Sequence, residues 1–297
     1  MLKAYIQSIL AQHPEFASVA PVIEKEILHH DVMHVMIERG VLQTLTFIGG
    51  TALRLCYNSS RLSEDLDFNG GAQFTPWDLG GLEKDIETYI QNKYDTQVTV
   101  NTPNEDKQGD TASWKISIER QPNRPDLPRQ KIHIDVCALD SLTIEKRPLL
   151  NHYRLNTPTE GLLIPVQSLP EMLVDKFIAL AYRARRIKPR DLWDIVWLHQ
   201  QTVSLDHSLL EGKLNARKKT MEAFTPALAT QIERLNTCDE TRQDFNQEMA
   251  RFIPTAIKAR TLDNPDYWAY LQTQITTMAE SVFNGQSKTD NAFDMGN

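Results

Sequence analysis

The chain has 297 residues, 41% hydrophobic and 24% charged, with a formal charge of −7; this is ordinary for a globular protein of one large domain or two modest ones. Such a charge argues against binding nucleic acid over the whole surface and leaves room for a local basic patch. Cys56, Cys137 and Cys238 form no CxxC pair and the eight histidines form no HxH or HExxH pattern, which speaks against zinc and for free thiols in a reducing compartment. The first residues, MLKAYIQSILAQHPEF, are interrupted by Gln, Ser and His and suit a short amphipathic helix better than a secretory signal. No apolar run approaches the roughly 20 residues needed to span a bilayer, so the expectation is a cytoplasmic protein without membrane contact.

In chain order, residues 21–40 read as a helix with Pro21 near its start and Gly40 past its end. Leu45–Ile48 reads as a strand stopped by Gly49-Gly50, and 51–57 as one or two helical turns. Leu66-Asp67-Phe68 belongs to a second strand, closed by Asn69-Gly70-Gly71. Pro76 to Lys93 reads as one helix with Leu79, Leu82, Ile86 and Ile90 on a single face. Strands follow at 97–101, 113–119 and 131–137, the last two joined by a Pro-rich surface loop, with a further extended stretch through 151–167. Ser168-Leu-Pro-Glu171 has capping-box spacing and opens a helical half, with further helices at 190–200, 205–222, 226–236, 239–252 and 266–282. The expected class is α+β: a mixed-sheet domain over 1–166, a mainly helical domain over 167–284, and a tail at 285–297 with little reason to order. Trp193, Trp197, Tyr267, Trp268 and Tyr270 in the helical half read as core.

The informative segment runs from Phe47 to Phe68, FIGGTALRLCYNSSRLSEDLDF. Gly49 and Gly50 after a strand let the backbone turn and show its N–H groups to an anion, and Thr51 adds a hydroxyl where a helix begins. In an extended strand Asp65 and Asp67 point to one face, a typical anchor for Mg²⁺, while Leu66 and Phe68 point to the core. A lone D-x-D or G-G-T is more often a turn or a solvated edge. The combination, with Arg61 and Ser63 between, is more specific, and two like charges on one face call for a neutralising cation.

Gly49-Gly50-Thr51 followed by Arg61-x-Ser63-Glu64-Asp65-x-Asp67-Phe68 resembles the first motif of the AbiEii/AbiGii-type nucleotidyltransferases, toxins of bacterial toxin–antitoxin and phage-defence systems related in fold to DNA polymerase β. Thr51 stands where the wider superfamily has Ser. The resemblance implies a polymerase β-like first domain, a two-metal site on Asp65 and Asp67, and a third carboxylate on a neighbouring strand. Asp135 fits that place: Ile132, Ile134 and Val136 alternate with Lys131, His133 and Asp135, so Asp135 is a metal ligand, a general base or a solvated edge residue. His133, on the same face, reads as structural.

Residues 171–194, with Asp175-Lys176 and Arg190-Asp191-x-x-Asp194, resemble the same family's later motifs. That likeness implies Lys176 at the nucleotide phosphates and Asp191 or Asp194 completing the site, although Asp191 could also be a helix cap. Arg183, Arg185, Arg186, Lys188 and Arg190 make a basic strip, read either as a helix end or as a surface for a polyanion. Together these imply a Mg²⁺-dependent toxin that transfers NMP from an NTP to RNA, tRNA above all, with a cognate antitoxin as partner. Gly49, Gly50, Thr51, Arg61, Ser63 and Lys176 would hold the triphosphate, and Asp135, Asp191 or Asp194 would take the hydroxyl proton. The alternatives are NTP-dependent modification of a protein hydroxyl and a non-catalytic member that binds a partner.

Overall fold

Alternating β-branched and polar residues set the sheet. The computed structural model describes residues 2–103, 110–120 and 128–293, the stretch 284–293 by its backbone alone. Strands β1 (Thr46–Ile48), β2 (Leu66–Asn69), β3 (Val98–Asn101), β4 (Thr111–Ile118), β5 (Gln130–Cys137), β6 (Ile144–Pro148) and β7 (Leu163–Gln167) form one mixed sheet in the order β3-β4-β5-β2-β1-β7-β6. The β2–β5 and β1–β7 pairs are parallel and the others antiparallel. Val98, Trp114, Ile116, Ile132, Ile134, Val136, Leu66 and Phe68 are buried, and the residues between them along β4 and β5 remain wholly or partly exposed. Period-two patterning thus gives this sheet one apolar and one polar face.

The helices of the first half are α1 (Leu2–Gln12), α2 (Ala20–Glu38), α3 (Gly49–Tyr57) and α4 (Leu82–Tyr94). Helix α2 is buried nearly all round, by Val22, Ile23, Ile27, Leu28, Val32, Met33 and Met36 and also by polar groups. Buried polar groups need partners. Glu26 takes the Arg54 guanidinium at 3.1 Å, His30 Nδ1 meets Thr159 Oγ1 at 2.7 Å, and Tyr94 Oη donates to Asp31 at 2.5 Å. The single helix expected from Pro76 is instead a short 3-10 turn, Pro76–Leu79, and then α4. Gly81 between them has φ +84°, a left-handed conformation that ends one helix and starts the next.

Helices α5 (Leu169–Ala181), α6 (Pro189–Gln200), α7 (His207–Ala216), α8 (Met221–Thr237), α9 (Asp239–Met249), α10 (Thr255–Lys258) and α11 (Tyr267–Phe293) follow. The chain divides into a unit of residues 1–167 with 252–255 and a second unit of 168–251 with 256–297. Phe252–Thr255 returning to the first unit is not foreshadowed in the sequence. Ser168 caps α5 by accepting from Glu171 N at 3.4 Å. The helix expected over 205–222 stops at Ala216 because Thr220 caps α8, accepting from Ala223 N at 3.3 Å, which also moves the start of α8 ahead of Pro226. Of the aromatic series expected in the core, Trp193 and Trp197 are buried, Tyr267 and Trp268 are half-buried, and Tyr270 is exposed because it stands on the outer side of α11; Trp193 lies 5.9 Å from Tyr267 and Phe245 5.4 Å from Trp268. Helix α11 continues to Phe293, beyond the expected end near 282, since a helix nucleated on Leu271, Ile275 and Val282 propagates at little cost. Residues 294–297 of the expected tail, and 121–127 of the expected Pro-rich loop, lie outside the described residues. No described helix is long and apolar enough to cross a membrane.

Burial holds His29, His30 and His152 below the usual histidine range, His30 at about 4. Between about 6.5, where these groups titrate in the unfolded chain, and about 4, the unfolded chain binds more protons than the folded one. Stability is therefore full above 6.5 and falls as pH drops through that window, by up to ~1.4 kcal/mol per pH unit for each such histidine. The urea midpoint should fall steadily from pH 7 to 5, and His30→Gln should flatten part of that slope. A midpoint independent of pH over that range would contradict it.

Candidate active site

Strand β1 delivers the chain to Gly49, whose φ of +76° turns it directly into α3. A Cβ on Gly49 would sit 2.6 Å from Asp67 Oδ2, so the Asp67 carboxylate lies against the first residue of the helix. The N–H groups of that first turn lack intrahelical partners and favour negative charge nearby. Gly50 is equally constrained: a Cβ there would meet the Arg61 guanidinium, 2.9 Å from Cζ.

Arg61, Thr51 and Ser63, read from the sequence as nucleotide ligands, are buried at 2%, 1% and 6% exposure. Arg61 Nη1 donates to Leu62 O at 3.0 Å, and the Thr51 hydroxyl donates to the Asp65 carbonyl. In this arrangement Arg61 and Thr51 each tie into the 59–65 loop, since a buried donor must spend its hydrogen locally. Leu62 N donates to Phe252 O at 2.9 Å, which gives the returning 252–255 segment a part in the same loop.

Asp65 departs from the expected pairing within one strand. It stands one residue before β2, and its Oδ1 accepts the His133 backbone N–H at 3.1 Å with His133 Nδ1 at 3.3 Å. An irregular residue ahead of the strand is free to turn its carboxylate to β5. The carboxylate that stands beside Asp67 is Asp135, its direct partner in the parallel β2–β5 register, on the face opposite Leu66 and Ile134. Asp135 Oδ1 is buried and has no hydrogen-bond partner among the described residues. A buried oxygen left unspent beside a second carboxylate is costly unless a cation or donor meets it.

These residues fit a divalent cation of the magnesium type. Among the described residues no three His, Cys, Asp or Glu side chains converge to enclose a metal. Asp67 and Asp135 supply two carboxylates, and Mg²⁺ is commonly held by one or two, with its other positions given to water and phosphate.

Sequence reasoning missed Lys25 and His29. Lys25 Nζ pairs with Glu64 at 2.8 Å and His29 Nε2 meets Glu64 O at 3.0 Å, fixing the residue before Asp65 from α2. The available signal was the run Glu24-Lys25-Glu26 and His29-His30-Asp31 inside an otherwise apolar helix, which leaves no face for them but a buried one.

In the second unit, Lys176 Nζ lies 2.8 Å from both Asp191 Oδ1 and Asp194 Oδ2, with the two carboxylates 5% and 0% exposed. Burial pushes Asp191 up, but Lys176 and Lys188 outweigh it and hold that carboxyl below its usual range. The basic strip is largely compensated: Arg186 pairs with Asp244 and Glu248, Arg190 with Glu248, and Arg183 with Asp191. Arg185 is exposed and has no carboxylate partner among the described residues. A cavity of about 450 Å³ lined by Trp77, Leu79, Pro103 and Trp114 opens on the apolar side of β4, away from the carboxylates, and carries no chemistry of its own.

The family model described as the nucleotidyl transferase AbiEii toxin of type IV toxin–antitoxin systems matches residues 34–273. The chain belongs to that family. As an AbiEii-family toxin it is a nucleotidyltransferase, which implies an NTP as substrate and an antitoxin as partner. Its fold is similar to that of MenT4, a nucleotidyltransferase toxin from Mycobacterium tuberculosis, at 16% identity and a TM-score of 0.57, over 93% of this chain and 88% of that one. A looser likeness, with a TM-score of 0.45 and 16% identity over 92% of this chain and 96% of the other, links it to JHP933 from Helicobacter pylori. No curated protein matches the chain.

Proposed function

We propose that this AbiEii-family toxin transfers a nucleoside monophosphate from an NTP to an RNA hydroxyl, tRNA being the expected acceptor, with Mg²⁺ held by Asp67 and Asp135 and supported by Asp65. One observation carries the reading: Asp67 and Asp135 stand side by side on parallel strands, with an unspent buried oxygen on Asp135, against the amino end of α3. Bound there, the cation would neutralise charge on the phosphates. The backbone N–H groups from Gly49 onward donate to phosphate oxygens, and Arg61 and Thr51 keep that turn in place through their bonds to the following loop. The RNA hydroxyl oxygen bonds to the α-phosphorus, the bond to pyrophosphate breaks, and the proton passes to a carboxylate, for which Asp135 is the candidate.

The test incubates the protein with total bacterial RNA, Mg²⁺ and each α-labelled NTP in turn. Label in tRNA-sized RNA is the expected result and names the nucleotide. Label on polypeptide alone would replace RNA with a protein hydroxyl as acceptor, and no label on either would contradict both.

A further inference from the structure

We infer that the polar face of β4 and β5 beside the carboxylates is a track for the phosphodiester backbone of the RNA acceptor, with Lys115 and Lys131 as its cationic contacts. The inference rests on the RNA-transfer reading above.

Alternation along β5 puts Lys131 and His133 on the same face as Asp135, every second residue, at steps of about 6.6 Å. Lys115 of β4 is the direct register partner of His133, and Ser117 that of Lys131, so Lys115 is a diagonal neighbour of both Lys131 and Asp135. Both lysines are exposed, and neither has a carboxylate within ion-pair distance among the described residues. His133 links this face to the site through Asp65, 3.3 Å from its Nδ1.

Two features set this face apart from an ordinary solvated one. The chain has 39 acidic against 32 basic residues, yet on β3, β4 and β5 the polar face carries no acid except Asp135. Thr99, Asn101, Thr111, Ser113 and Ser117 add neutral hydrogen-bonding groups to the same face. Together the two lysines make a locally positive diagonal to which a polyanion is drawn. A single nucleotide docked at Asp67 and Asp135 would leave the far lysine, two strand steps from Asp135, unused. A chain of regularly spaced phosphates reaches both while its terminal hydroxyl stays at the carboxylates, and such binding is sequence-tolerant and salt-sensitive. The basic strip of the second unit, mostly paired internally, is the weaker candidate for the same work.

The experiment measures binding of bulk bacterial tRNA to the full chain without NTP, from about 50 to 200 mM salt, for the wild type and for the double variant Lys115→Gln/Lys131→Gln. Both sites are exposed, and glutamine keeps most of the aliphatic stem. The track predicts a Kd about tenfold higher and a log–log salt slope shallower by roughly 1.4, two contacts at about 0.7 each for a single strand. It also predicts an unchanged affinity for NTP alone. An unchanged Kd and slope, or a loss confined to NTP affinity, would overturn the track. Labelling by the wild type is followed in parallel. If RNA is labelled but the double variant binds it normally, the track alone fails; if only polypeptide is labelled, the acceptor reading fails and the track with it.

Discussion

Asp67→Asn is expected to lower nucleotide transfer by at least about 10³-fold, the several kcal/mol that a misplaced metal and its bound phosphates are worth. The same change should leave the thermal midpoint unchanged or raise it. Asp67 and Asp135 are like charges in direct register, and neutralising one relieves their repulsion. Stability kept or gained as activity is lost is the mark of a residue held in place for chemistry. Asp135→Asn should behave alike. If activity and stability fell together in both variants, the pair would be structural. Asp65→Asn should differ from Asp135→Asn: its Oδ1 accepts the His133 N–H, so the loss there is part positioning and should lower the midpoint as well.

The largest effect on stability is expected in the second unit, where Lys213 is 1% exposed and pairs with Glu171, 0% exposed, at 2.6 Å, with Asp175 at 3.3 Å. Lys213→Met removes that counter-charge from a buried carboxylate and should cost about 3–5 kcal/mol, on the order of 10 °C in thermal midpoint. Arg217 does not replace it, since its guanidinium is engaged with Asp175 at 2.8 Å. Adding Glu171→Gln to Lys213→Met should recover most of the loss, because the buried charge is then gone. Calorimetry of the three proteins checks this: a single variant within 1 kcal/mol of the wild type would show that Glu171 is stabilised by something other than Lys213.

What the sequence could tell depended on whether the information was local. The β1 strand, the glycines after it and the Ile132–Val136 alternation are written in neighbouring residues, and the structure has them where the pattern puts them. The Ser168 cap is legible for the same reason. Strand β6 is not legible locally, because Ile144-Glu-Lys-Arg-Pro148 has no alternation; it is a sheet edge whose strand character comes from pairing with β7. Asp65 and Asp67 look equivalent in sequence and are not, since the hydrogen bond to His133 that separates them crosses 68 residues. Arg61 and Thr51 carry groups that suit phosphate, and only tertiary packing reveals that each also gives a hydrogen bond to the 59–65 loop. The neutralisation of the basic strip is likewise invisible locally, because Asp244 and Glu248 come from a helix more than 50 residues away.

The most direct test of the central claim is a titration of Mn²⁺, followed by the loss of the free-ion spin signal, into the protein with a non-hydrolysable NTP analogue. The account predicts that the wild type takes up Mn²⁺ and that Asp67→Asn and Asp135→Asn each weaken its affinity by about tenfold or more. Equal affinity in all three proteins would contradict the assignment of the ion to these two carboxylates.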